Sequence, residues 1–546
     1  MRAHILNNKI QRLLQQITQY FLDHHQQAYL TGGSLRNLLL HEPSLDWDIV
    51  TTGDAPKLAR QLADKLGGYY THMHEKASRI VVKHQQQDII IDISPLKGHT
   101  LEDDLRARDF TINAMAATLT DVVHHLETGD PLQLIDPLNG LADIQACCLR
   151  AVDNDIFRHD PLRMLRAVRL RARYQLSIDP WTQGLIRRDA PLLPSVAAER
   201  IHDELYAILE PNGATEQLHF LDAPGLLTVL IPEFIPARGM PQPRPHYWDV
   251  LEHSLQAVGA LELLAIVFEH GEATLSHVPS QLCKLTKESG HTVGADLSQP
   301  TADLSASHSP ILLSTSMIVP PESEDLAEVR TLLREAEQQG IFQFAALTAP
   351  RMKLAALLHD IGKPATYTTD EDGSIHFYGH PQVGVPLAQQ IMKRLSASTQ
   401  DRRLVQLVVN HHMRPGNLGQ NDEPVTMRAT RRYFVDLGPT GILIALFSLA
   451  DHIATHGPQP SHTWERHLTV VRLLLTRYIR ERESILPPQL ISPEELMRKL
   501  NLEPGPLIGQ LLERIAEAQA EGQIHSKEEA LWLAEEKLDQ EDRREM

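Results

Sequence analysis

Two glycines and two aspartates near the amino terminus have the types and spacing needed for phosphate chemistry. Gly32 and Gly33 follow a short apolar run and open a helical pattern. Glycines let a backbone approach a phosphate closely, and a helix N-terminus offers free N–H donors. Asp46 and Asp48 follow; two residues apart on a strand, they point to the same side and can hold divalent metals for phosphoryl transfer. Taken singly, a glycine turn and a solvated strand end are the commoner settings.

A second group of metal-ligand side chains lies in the carboxyl-terminal half. The apolar run Leu354–Leu358 predicts a helix that ends on His359 and Asp360, and Gly362 and Pro364 then stop it. Further candidate ligands follow one order along the chain, at His253, His380, His411, His412 and Asp451. A single histidine on an apolar helix is more often structural, but this set favours a metal centre. Either His411 or His412 could be the ligand at its position.

The surrounding sequence predicts the elements that position these residues. Residues 5–28 have the periodicity of an amphipathic helix. Short β-type runs follow at 28–30, 47–50, 79–83 and 88–93, with helical patterns between them. From about residue 155 the pattern is helical, apart from an interval at 272–325 that is rich in Ser, Thr, His and Pro. That interval is predicted to be a loop-like or disordered insertion, and the fold class is predicted to be α+β.

The composition restricts the class of protein. The 546 residues suggest three or four domains, and 42% hydrophobic with 22% charged residues is typical of a folded chain. The 52 Lys and Arg against 70 Asp and Glu give a formal charge of −18. This charge excludes a polycationic nucleic-acid coat but leaves room for a local basic groove.

Cysteine usage and hydropathy point to a cytoplasmic protein without a membrane partner. Cys147, Cys148 and Cys283 are too few for a disulfide framework, which favours a reducing compartment. The amino terminus lacks the apolar core of a signal peptide, and no apolar run reaches about 18 residues.

The glycine and aspartate motif is the first of five that follow one another in order. The series consists of Gly32–Leu40 with Asp46–Asp48, Arg108–Ala116, Asp136–Asp143, Asp160–Arg169 and Glu199–Leu205. In residue types and order it resembles the class II tRNA nucleotidyltransferases and bacterial poly(A) polymerases. The resemblance covers about the first 40% of the chain. It implies a head with a small mixed, polymerase-beta-like sheet, followed by an all-helical neck, body and tail.

The resemblance also implies roles for residues of the head. Asp46 and Asp48 would be the catalytic carboxylates that bind Mg²⁺. Contacts with the triphosphate and ribose of the incoming nucleotide would come from Gly32, Gly33, Arg36, Arg108, Asp109 and Asn113.

Asp160 and Arg163 would read the base of that nucleotide. A carboxylate accepts from an exocyclic amine, while a guanidinium donates to ring or carbonyl acceptors, so the pair can favour C and A without a template. Asp160 is equally suited to capping the helix that Pro161 begins. Arginines then recur at helical spacing, at Arg163, Arg166, Arg169 and Arg173. Their face would contact nucleotide or RNA phosphate; an ordinary solvated face is the alternative.

Three positions depart from the family's usual pattern. Asn37 stands where Asp is usual, Ala107 replaces the first Arg of an Arg-Arg-Asp sequence, and His159 stands in place of Glu. The carboxylate pair is intact, so activity is expected, while nucleotide affinity and the choice between C and A are the properties affected. Asp92 is a candidate third carboxylate or a simple strand end.

The histidine and aspartate order resembles the HD-superfamily phosphohydrolases, and the additional histidines resemble their binuclear form. This implies a divalent transition metal, with bridged ions that activate water against a phosphoester. The substrate would be a phosphoester or a 2′,3′-cyclic phosphate at damaged RNA ends. Alternatively, the domain would only support RNA binding.

Together these features predict a nucleotidyltransferase head at 1–150, a helical neck at 151–240, an HD domain at 241–480 and a helical tail at 481–546. The tail, including Leu500–Leu512, resembles that of HD-bearing tRNA nucleotidyltransferases and would help grip tRNA; an ordinary helical hairpin is the alternative. The function expected is addition of CCA to tRNA 3′ ends from CTP and ATP.

Three other functions fit the same residues. The first is a poly(A) polymerase, or a partial enzyme that adds only CC or only A. The second is a metal-dependent phosphohydrolase whose amino-terminal half binds RNA without catalysis. The third is an RNA-binding protein without catalytic activity.

Overall fold

The computed structural model describes residues 2–73, 77–84, 87–271, 324–419, 424–459 and 461–545. Contacts within this part of the chain group it into two compact units. The first unit runs to Val196 and includes Pro224–Leu226; the second contains Ala197–Ala223 and the described residues from Leu227 onward. The finer division into head, neck, HD domain and tail stays a prediction.

A mixed sheet, six-stranded over the residues described, forms the centre of the first unit. Its strands are β1 (Ala28–Thr31), β2 (Asp46–Thr51), β3 (Tyr69–His72), β4 (Ser78–His84), β5 (Gln87–Pro95) and β6 (Ala116–Thr118). They lie in the order β3-β4-β5-β2-β1-β6, with β2 and β5 parallel and the other neighbours antiparallel. The register pairs Asp48 with Thr31 on one side and with Asp92 on the other.

The alternation of side chains along β2 separates core from site. Trp47 and Ile49 are buried, whereas Asp46 is exposed and Asp48 half-buried on the opposite face. Helices of the first unit surround the sheet: α1 (Arg2–Asp23), α2 (Gly32–Leu39), α3 (Ala55–Leu66), α4 (Leu101–Arg106), α5 (Leu119–Thr128), α6 (Gly140–Gln145), α7 (Ile156–His159), α8 (Arg163–Tyr174) and α9 (Pro180–Asp189). Two short strands, β7 (Cys148–Leu149) and β8 (Ser177–Ile178), pair in parallel.

Over its described residues, the second unit is helical apart from one small hairpin. Its helices are α10 (Ala198–Leu209), α11 (Ala214–Asp222), α12 (Leu226–Leu230), α13 (Val250–His270), α14 (Glu324–Gln338), α15 (Ala345–Thr348), α16 (Pro350–Leu358), α17 (His380–Arg394), α18 (Thr399–His411), α19 (Arg414–Leu418), α20 (Met427–Leu437), α21 (Thr440–His456), α22 (Trp464–Arg480), α23 (Arg482–Ile485), α24 (Pro493–Leu500), α25 (Pro506–Ala520) and α26 (Lys527–Glu545). The hairpin pairs β9 (Thr368–Thr369) with β10 (Ile375–His376). The predicted α+β class, with a mixed-sheet head and helices after it, is confirmed.

Two sequence-based boundaries need correction. The first helix ends at Asp23 and not at residue 28, since the backbone turns at His25, whose φ is +54°. At the far end of the predicted insertion, Glu324 and Asp325 open α14 with acidic residues in its first turn, which favours helix. The rest of that insertion, 272–323, and Cys283 within it lie outside the described residues.

One helix, Val250–His270, is long and apolar enough to cross a membrane, although no uninterrupted apolar run marks it in the sequence. Within its most apolar window, 78% of the residues are buried inside the protein. It carries the buried polar residues His253 and Glu262, so its apolar surface serves the core of the second unit.

Two candidate active sites

The turn between β1 and α2 is tightly packed against charged side chains. Gly32 has a φ of +64°, in the left-handed region that favours glycine. A Cβ atom built on Gly32 would lie 2.9 Å from an Arg108 Nη and 3.0 Å from Asp48 Oδ2. Glycine is therefore required here both for its conformation and for the close approach of the backbone to these two side chains.

Asp48 is fixed in place by its neighbours. Its backbone N–H donates to Ser34 Oγ at 2.7 Å, and the Ser34 hydroxyl donates to the Thr31 carbonyl oxygen at 3.0 Å. Burial raises the pKa of Asp48, the Arg108 charge opposes that rise, and the nearby Asp92 and Asp46 carboxylates add to it. A concentration of negative charge at a partly buried carboxylate is an environment that a divalent cation would relieve.

Asp92 lies beside Asp48 in the register, but its charge is already paired. Both carboxylate oxygens accept from Arg79, with N–O distances of 2.8 Å to Nε and Nη2. Because both oxygens of Asp92 are already taken by Arg79, direct metal ligation by Asp92 is disfavoured. Its role is to contribute negative charge near Asp48.

The opposite wall of the site is a linked set of carboxylates and arginines. Arg108 donates to Asp104 at 2.9 Å, and Arg166 lies 3.1 Å from Asp109. Asp109 also accepts from the Asn113 amide at 3.0 Å. Burial raises the pKa of Asp109, but the Arg166 charge and the Asn113 hydrogen bond outweigh it and leave the pKa below its ordinary value.

Arg36 lies behind this wall. It is 5% exposed, and its guanidinium donates to the side-chain oxygens of Asn113, Asn37 and Tyr174, the last at 2.7 Å. Tyr174 in turn donates to Asn37 at 2.8 Å. The arrangement indicates that Arg36 orients Asn113, and that Asn37, one of the departures from the family pattern, accepts one of the Arg36 hydrogen bonds.

These walls enclose a cavity of about 270 Å³. Among the nucleotide-site residues expected from the sequence, its lining contains Gly32, Gly33, Asp48, Arg108, Asp109, Asn113, Arg163 and Arg166. Within the part of the chain that is described, the lining leaves out Asp46, Arg36, Asp160 and Arg169. Asp46 is the exposed first residue of β2. Asp160 accepts from the Leu162 N–H at 3.2 Å in the turn before α8; the N-cap residue of that helix is Leu162, and not Asp160 as the sequence suggested. Sequence reasoning missed Lys97 and Asp104 in the lining, because they are isolated polar residues outside any motif. It also assigned no role to Ser34, although Ser34 lies within the first motif.

In the second unit, the candidate metal ligands form one buried cluster. His253 Nε2 lies 3.2 Å from His359 Nε2, 3.3 Å from Asp360 Oδ2 and 3.0 Å from Asp451 Oδ1. On the other side of Asp360, Oδ1 lies 3.2 Å from His380 Nε2 and 3.6 Å from His412 Nε2. The two oxygens of Asp360 therefore face two separate groups of ligands, as a carboxylate that bridges two metal ions does.

His412 and not His411 belongs to this cluster. His412 is 2% exposed and lies 3.4 Å from His380, nitrogen to nitrogen. The Nε2 of His411 instead accepts from the Asn410 amide at 3.0 Å.

The backbone sets the tautomers of the cluster for metal binding. The Nδ1 atoms of His359, His380 and His412 donate to main-chain carbonyls at 2.7, 2.9 and 2.9 Å. In each of them the Nε2 atom faces the carboxylates and is the nitrogen that a metal ion would take, which is the usual arrangement around a metal. Two overlapping groups of ligand atoms, His253–His359–Asp451 and His359–Asp360–His412, lie close enough to hold an ion.

The electrostatics of the cluster are those of a site that needs cations. Burial lowers the pKa of His359, but the Asp360 and Asp451 carboxylates outweigh it and raise the pKa to about 10. Burial lowers the pKa of His412 to about 3. Nitrogen donors around a bridging carboxylate suit a transition metal, which fits the residues present.

Close packing at Gly362 brings the ligands together. A Cβ atom there would lie 2.1 Å from the His380 carbonyl oxygen, so only glycine lets α17 approach the loop after Asp360. The cluster opens into a cavity of about 890 Å³. Sequence reasoning missed Lys363 and His246 in its lining, although Lys363 directly follows the motif; its Nζ lies 2.5 Å from Asp360.

Comparison with known proteins identifies the family. Residues 28–150 match the Poly A polymerase head domain, 175–238 the probable RNA and SrmB-binding site of polymerase A, and 340–454 the HD domain. The A-adding tRNA nucleotidyltransferase of Deinococcus radiodurans is 31% identical over 513 residues, which cover 92% of this chain and 94% of the relative. This chain belongs to the tRNA nucleotidyltransferase family. The family and the enzyme class predicted from the motifs are confirmed.

Other members of the family match over similar lengths. The CC-adding tRNA nucleotidyltransferase of Synechocystis is 27% identical, with 93% of each chain covered. Among solved structures, a CCA-adding enzyme in complex with ATP matches 97% of this chain and 96% of its own, with a TM-score of 0.57 and 18% identity. A Thermotoga maritima CCA-adding enzyme complexed with tRNA gives a TM-score of 0.54, with 97% and 96% covered and 18% identity. At this identity, the structural matches establish the fold.

Proposed function

We propose that this tRNA nucleotidyltransferase adds CCA to tRNA 3′ ends without a template, using CTP and ATP. The observation that carries the proposal is the cavity at the β1–α2 turn, where Asp48 faces a glycine turn and the arginines Arg108, Arg163 and Arg166. A narrow cavity with carboxylates on one side and guanidinium groups on the other suits a metal-bound triphosphate. The cytoplasm, where tRNA is processed, is the proposed location.

Each residue of the head would have one task. Asp46 and Asp48 would hold the divalent ion, Mg²⁺ in this proposal, which supplies charge neutralisation and a more acidic attacking hydroxyl when bound. The Gly32 turn lets the triphosphate approach the backbone, and Arg108 and Arg166 offset its charge. Asn113, oriented by Arg36 and Asp109, would contact the ribose. The tRNA 3′-oxygen attacks the α-phosphorus, and the bond to pyrophosphate breaks.

Base selection would rest on the start of α8. Arg163 lines the cavity, and one of its amino groups lies 3.3 Å from the Ala107 carbonyl oxygen. Asp160 stands three residues earlier and is half-buried. The Ala107 main-chain carbonyl, which any residue at position 107 would offer, therefore helps to place the Arg163 guanidinium.

The HD cluster would hydrolyse phosphoesters, 2′,3′-cyclic phosphates at RNA ends among them. Two groups of ligands around Asp360 would hold a pair of transition-metal ions, which supply a water of lowered pKa when bound. His253, His359 and Asp451 would form one group, and His380 and His412 the other. Lys363, next to Asp360, offers a cation for a phosphate oxygen.

An enzyme that adds only the terminal A is the second candidate. The specific observation in its favour is the 31% identity to the A-adding enzyme of Deinococcus radiodurans over nearly the whole of both chains. Such an enzyme would share the catalytic carboxylates and differ only in which tRNA ends and nucleotides it accepts.

Two tRNA substrates separate these functions. We would supply labelled CTP or ATP to a tRNA that lacks the whole CCA end and to one that ends in CC. CCA addition predicts CTP incorporation into the first tRNA, a single A added to the second, and the complete end when both nucleotides are present. Incorporation of A into the CC-ended tRNA with no use of CTP would assign the A-adding function instead. Long ATP tracts would assign poly(A) synthesis.

A further inference from the structure

Tyr378, at the edge of the HD cavity, exposes a large aromatic side chain that does not contribute to the core. Tyr378 lines the cavity that contains Asp360 and His380, yet it is 74% exposed, the highest value among the large apolar side chains described as exposed. The preceding Phe377 also lines the cavity, and its ring centre lies 5.6 Å from the Lys363 ammonium. An aromatic ring held out into a cavity is a surface available to a ligand.

The ring of Tyr378 is held in place by neighbours of its own. It stacks on the imidazole of His376, with ring centres 4.9 Å apart and an angle of 11° between the planes. His376 Nε2 lies 2.8 Å from Asp370 Oδ2 across the β9–β10 hairpin. The chain Asp370–His376–Tyr378 therefore supports one face of the tyrosine.

The position of this ring relative to the metal cluster limits what it can bind. Tyr378 lies two positions before the ligand His380, so their Cα atoms are at most about 7 Å apart. Gly379 between them has a φ of +74°, which turns the chain so that His380 enters the cluster while Tyr378 stays at the rim. A ligand with a phosphoester at the metals could therefore place a planar group on the tyrosine.

We infer that the Tyr378–His376 stack is the base-binding subsite of the HD cavity, and that its ligand is a nucleoside phosphoester. Stacking on an aromatic side chain accepts any base, because every base has a π-face. The cavity of about 890 Å³ is within the range of small-molecule sites. The same chemistry is offered by a free nucleotide and by the last nucleotide of an RNA.

This inference rests on the phosphohydrolase function proposed for the HD cluster. In the reaction with a cyclic phosphate, water oxygen bonds to phosphorus, one ring P–O bond breaks, and the leaving ribose oxygen takes the proton, which gives a monoester. The stacked base takes no part in this chemistry. Loss of the stacking contact should therefore weaken substrate binding and leave kcat unchanged.

The test compares wild type, Tyr378→Ala and Tyr378→Phe with Mn²⁺ or Ni²⁺ supplied. The substrates are adenosine 2′,3′-cyclic phosphate, an oligoribonucleotide ending in the same group, and methyl riboside 2,3-cyclic phosphate, which has no base. We expect Tyr378→Ala to raise KM for a base-bearing substrate about 5-fold or more at constant kcat. Tyr378→Phe should behave as wild type, and the baseless substrate should give the same KM with all three proteins.

The three substrates distinguish a free nucleotide from an RNA end as the ligand. They also distinguish failure of the base-binding subsite from failure of the phosphohydrolase function. A change with both base-bearing substrates assigns free nucleotides as ligands, and a change with the oligonucleotide alone assigns an RNA end. An unchanged KM in Tyr378→Ala, or an equal rise with the baseless substrate, would overturn the subsite.

If wild type hydrolyses none of the three, the phosphohydrolase function fails. Calorimetric titration with adenosine 2′-phosphate then decides the subsite, because Tyr378→Ala should lose one binding site that Tyr378→Phe keeps.

Discussion

At the scale of single residues, the glycine of the β1–α2 turn connects backbone conformation to the carboxylate chemistry. Gly32 takes a positive φ, and a Cβ atom on it would meet Arg108 and Asp48 at about 3 Å. A side chain at position 32 would strain the backbone and also displace Asp48 or Arg108. Because these two residues line the proposed active site, we expect activity to fall more than stability.

We predict that Gly32→Ala lowers nucleotide addition by about 10²-fold, because displacement of Asp48 or Arg108 by a fraction of an ångström misplaces the triphosphate. Left-handed backbone at alanine also costs about 1–2 kcal/mol of stability. Incorporation of labelled nucleotide and the thermal midpoint would be measured together.

Gly129→Ala is the matched control for this variant. Gly129 has a φ of +78°, but a Cβ atom there meets nothing within 4 Å. It should lose a similar amount of stability and keep its activity. Equal activity in the two variants would show that contact with Asp48 and Arg108 is not what requires glycine at position 32.

A second residue-scale prediction concerns pH. The hydrogen bond between His219 Nε2 and Glu252, 2.9 Å long, raises the pKa of His219 above its ordinary value of 6.5 although burial opposes it. The pair therefore stabilises the folded state fully below 6.5, and this stabilisation is lost as pH rises through the folded pKa. In urea unfolding from about pH 6 to about pH 9, the stability difference between wild type and His219→Gln should shrink.

The exposed His462 supplies the comparison for this pH series. His462→Gln leaves the His219–Glu252 pair intact, so it should not reproduce the pH-dependent change seen with His219→Gln. A His219→Gln difference that stayed constant or grew with pH would mean that the ion pair does not supply the pH dependence.

Residue types and spacing predict part of both sites. Alternation along a strand, which is local geometry, puts Asp46 and Asp48 on one face. The metal cluster was predicted from the resemblance of the histidine and aspartate order to the HD superfamily. Spacing did not reveal that Arg36 is buried against Tyr174, since residues 138 positions apart meet only through the tertiary fold. For the same reason, the adjacent His411 and His412 could be told apart only once the direction of α18 was known.

At the scale of elements, a buried lysine connects four helices of the second unit. Lys353 on α16 is 0% exposed and donates to the carbonyls of Leu209 and Pro211, at the end of α10, at 2.7 and 2.8 Å. It also lies 2.7 Å from Glu262 on α13, whose carboxylate accepts from the Ala214 N–H at the start of α11. The Lys353–Glu262 pair therefore hydrogen-bonds the carbonyls that follow the end of α10 and an N–H at the start of α11. Burial removes these main-chain groups from water, so they need partners within the protein.

We predict that Lys353→Met destabilises the protein by about 3–5 kcal/mol, because it leaves the Glu262 charge buried without its partner. The exposed Lys393→Met should change stability by less than about 0.5 kcal/mol. Denaturant midpoints followed by circular dichroism would measure both. If the double variant Lys353→Met/Glu262→Gln is no more stable than Lys353→Met, the unpaired charge is not the cause.

Elements with a buried face were predictable, and elements without one were not. The β-type runs at 28–30, 47–50, 79–83 and 88–93 overlap β1, β2, β4 and β5, whose apolar side chains fill the core. β3 is an edge strand of exposed or half-buried residues, and β6 has only three residues, so neither has the alternation that marks a strand.

At the scale of the whole molecule, the −18 charge is a poor guide to function, because the positive charges that matter are local. Arg108, Arg163 and Arg166 gather at one cavity, whose lining also contains aspartates. The local basic groove stays a prediction. Part of the acidity lies at sites where cations would bind, Asp46 and Asp48 in the first unit and Asp360 and Asp451 in the second.

Metal binding at the second of these sites should be visible in the stability of the full chain. We predict that Ni²⁺ at about 100 times its Kd stabilises wild type by about 2.7 kcal/mol and raises its thermal midpoint. Asp360→Asn, which removes the carboxylate between the two ligand groups, should lose this shift, whereas Asp46→Asn should keep it. An equal shift in all three proteins would place the ion elsewhere.

The central claim is that the carboxylates of β2 perform nucleotide transfer and that the HD cluster does not. The most direct test is incorporation of labelled CTP and ATP into a tRNA without its CCA end by wild type, Asp48→Asn and Asp360→Asn. The account predicts a loss of about 10³-fold or more in Asp48→Asn and wild-type incorporation in Asp360→Asn. Wild-type incorporation in Asp48→Asn, or its loss in Asp360→Asn, would contradict the account and favour a phosphohydrolase with a non-catalytic amino-terminal half.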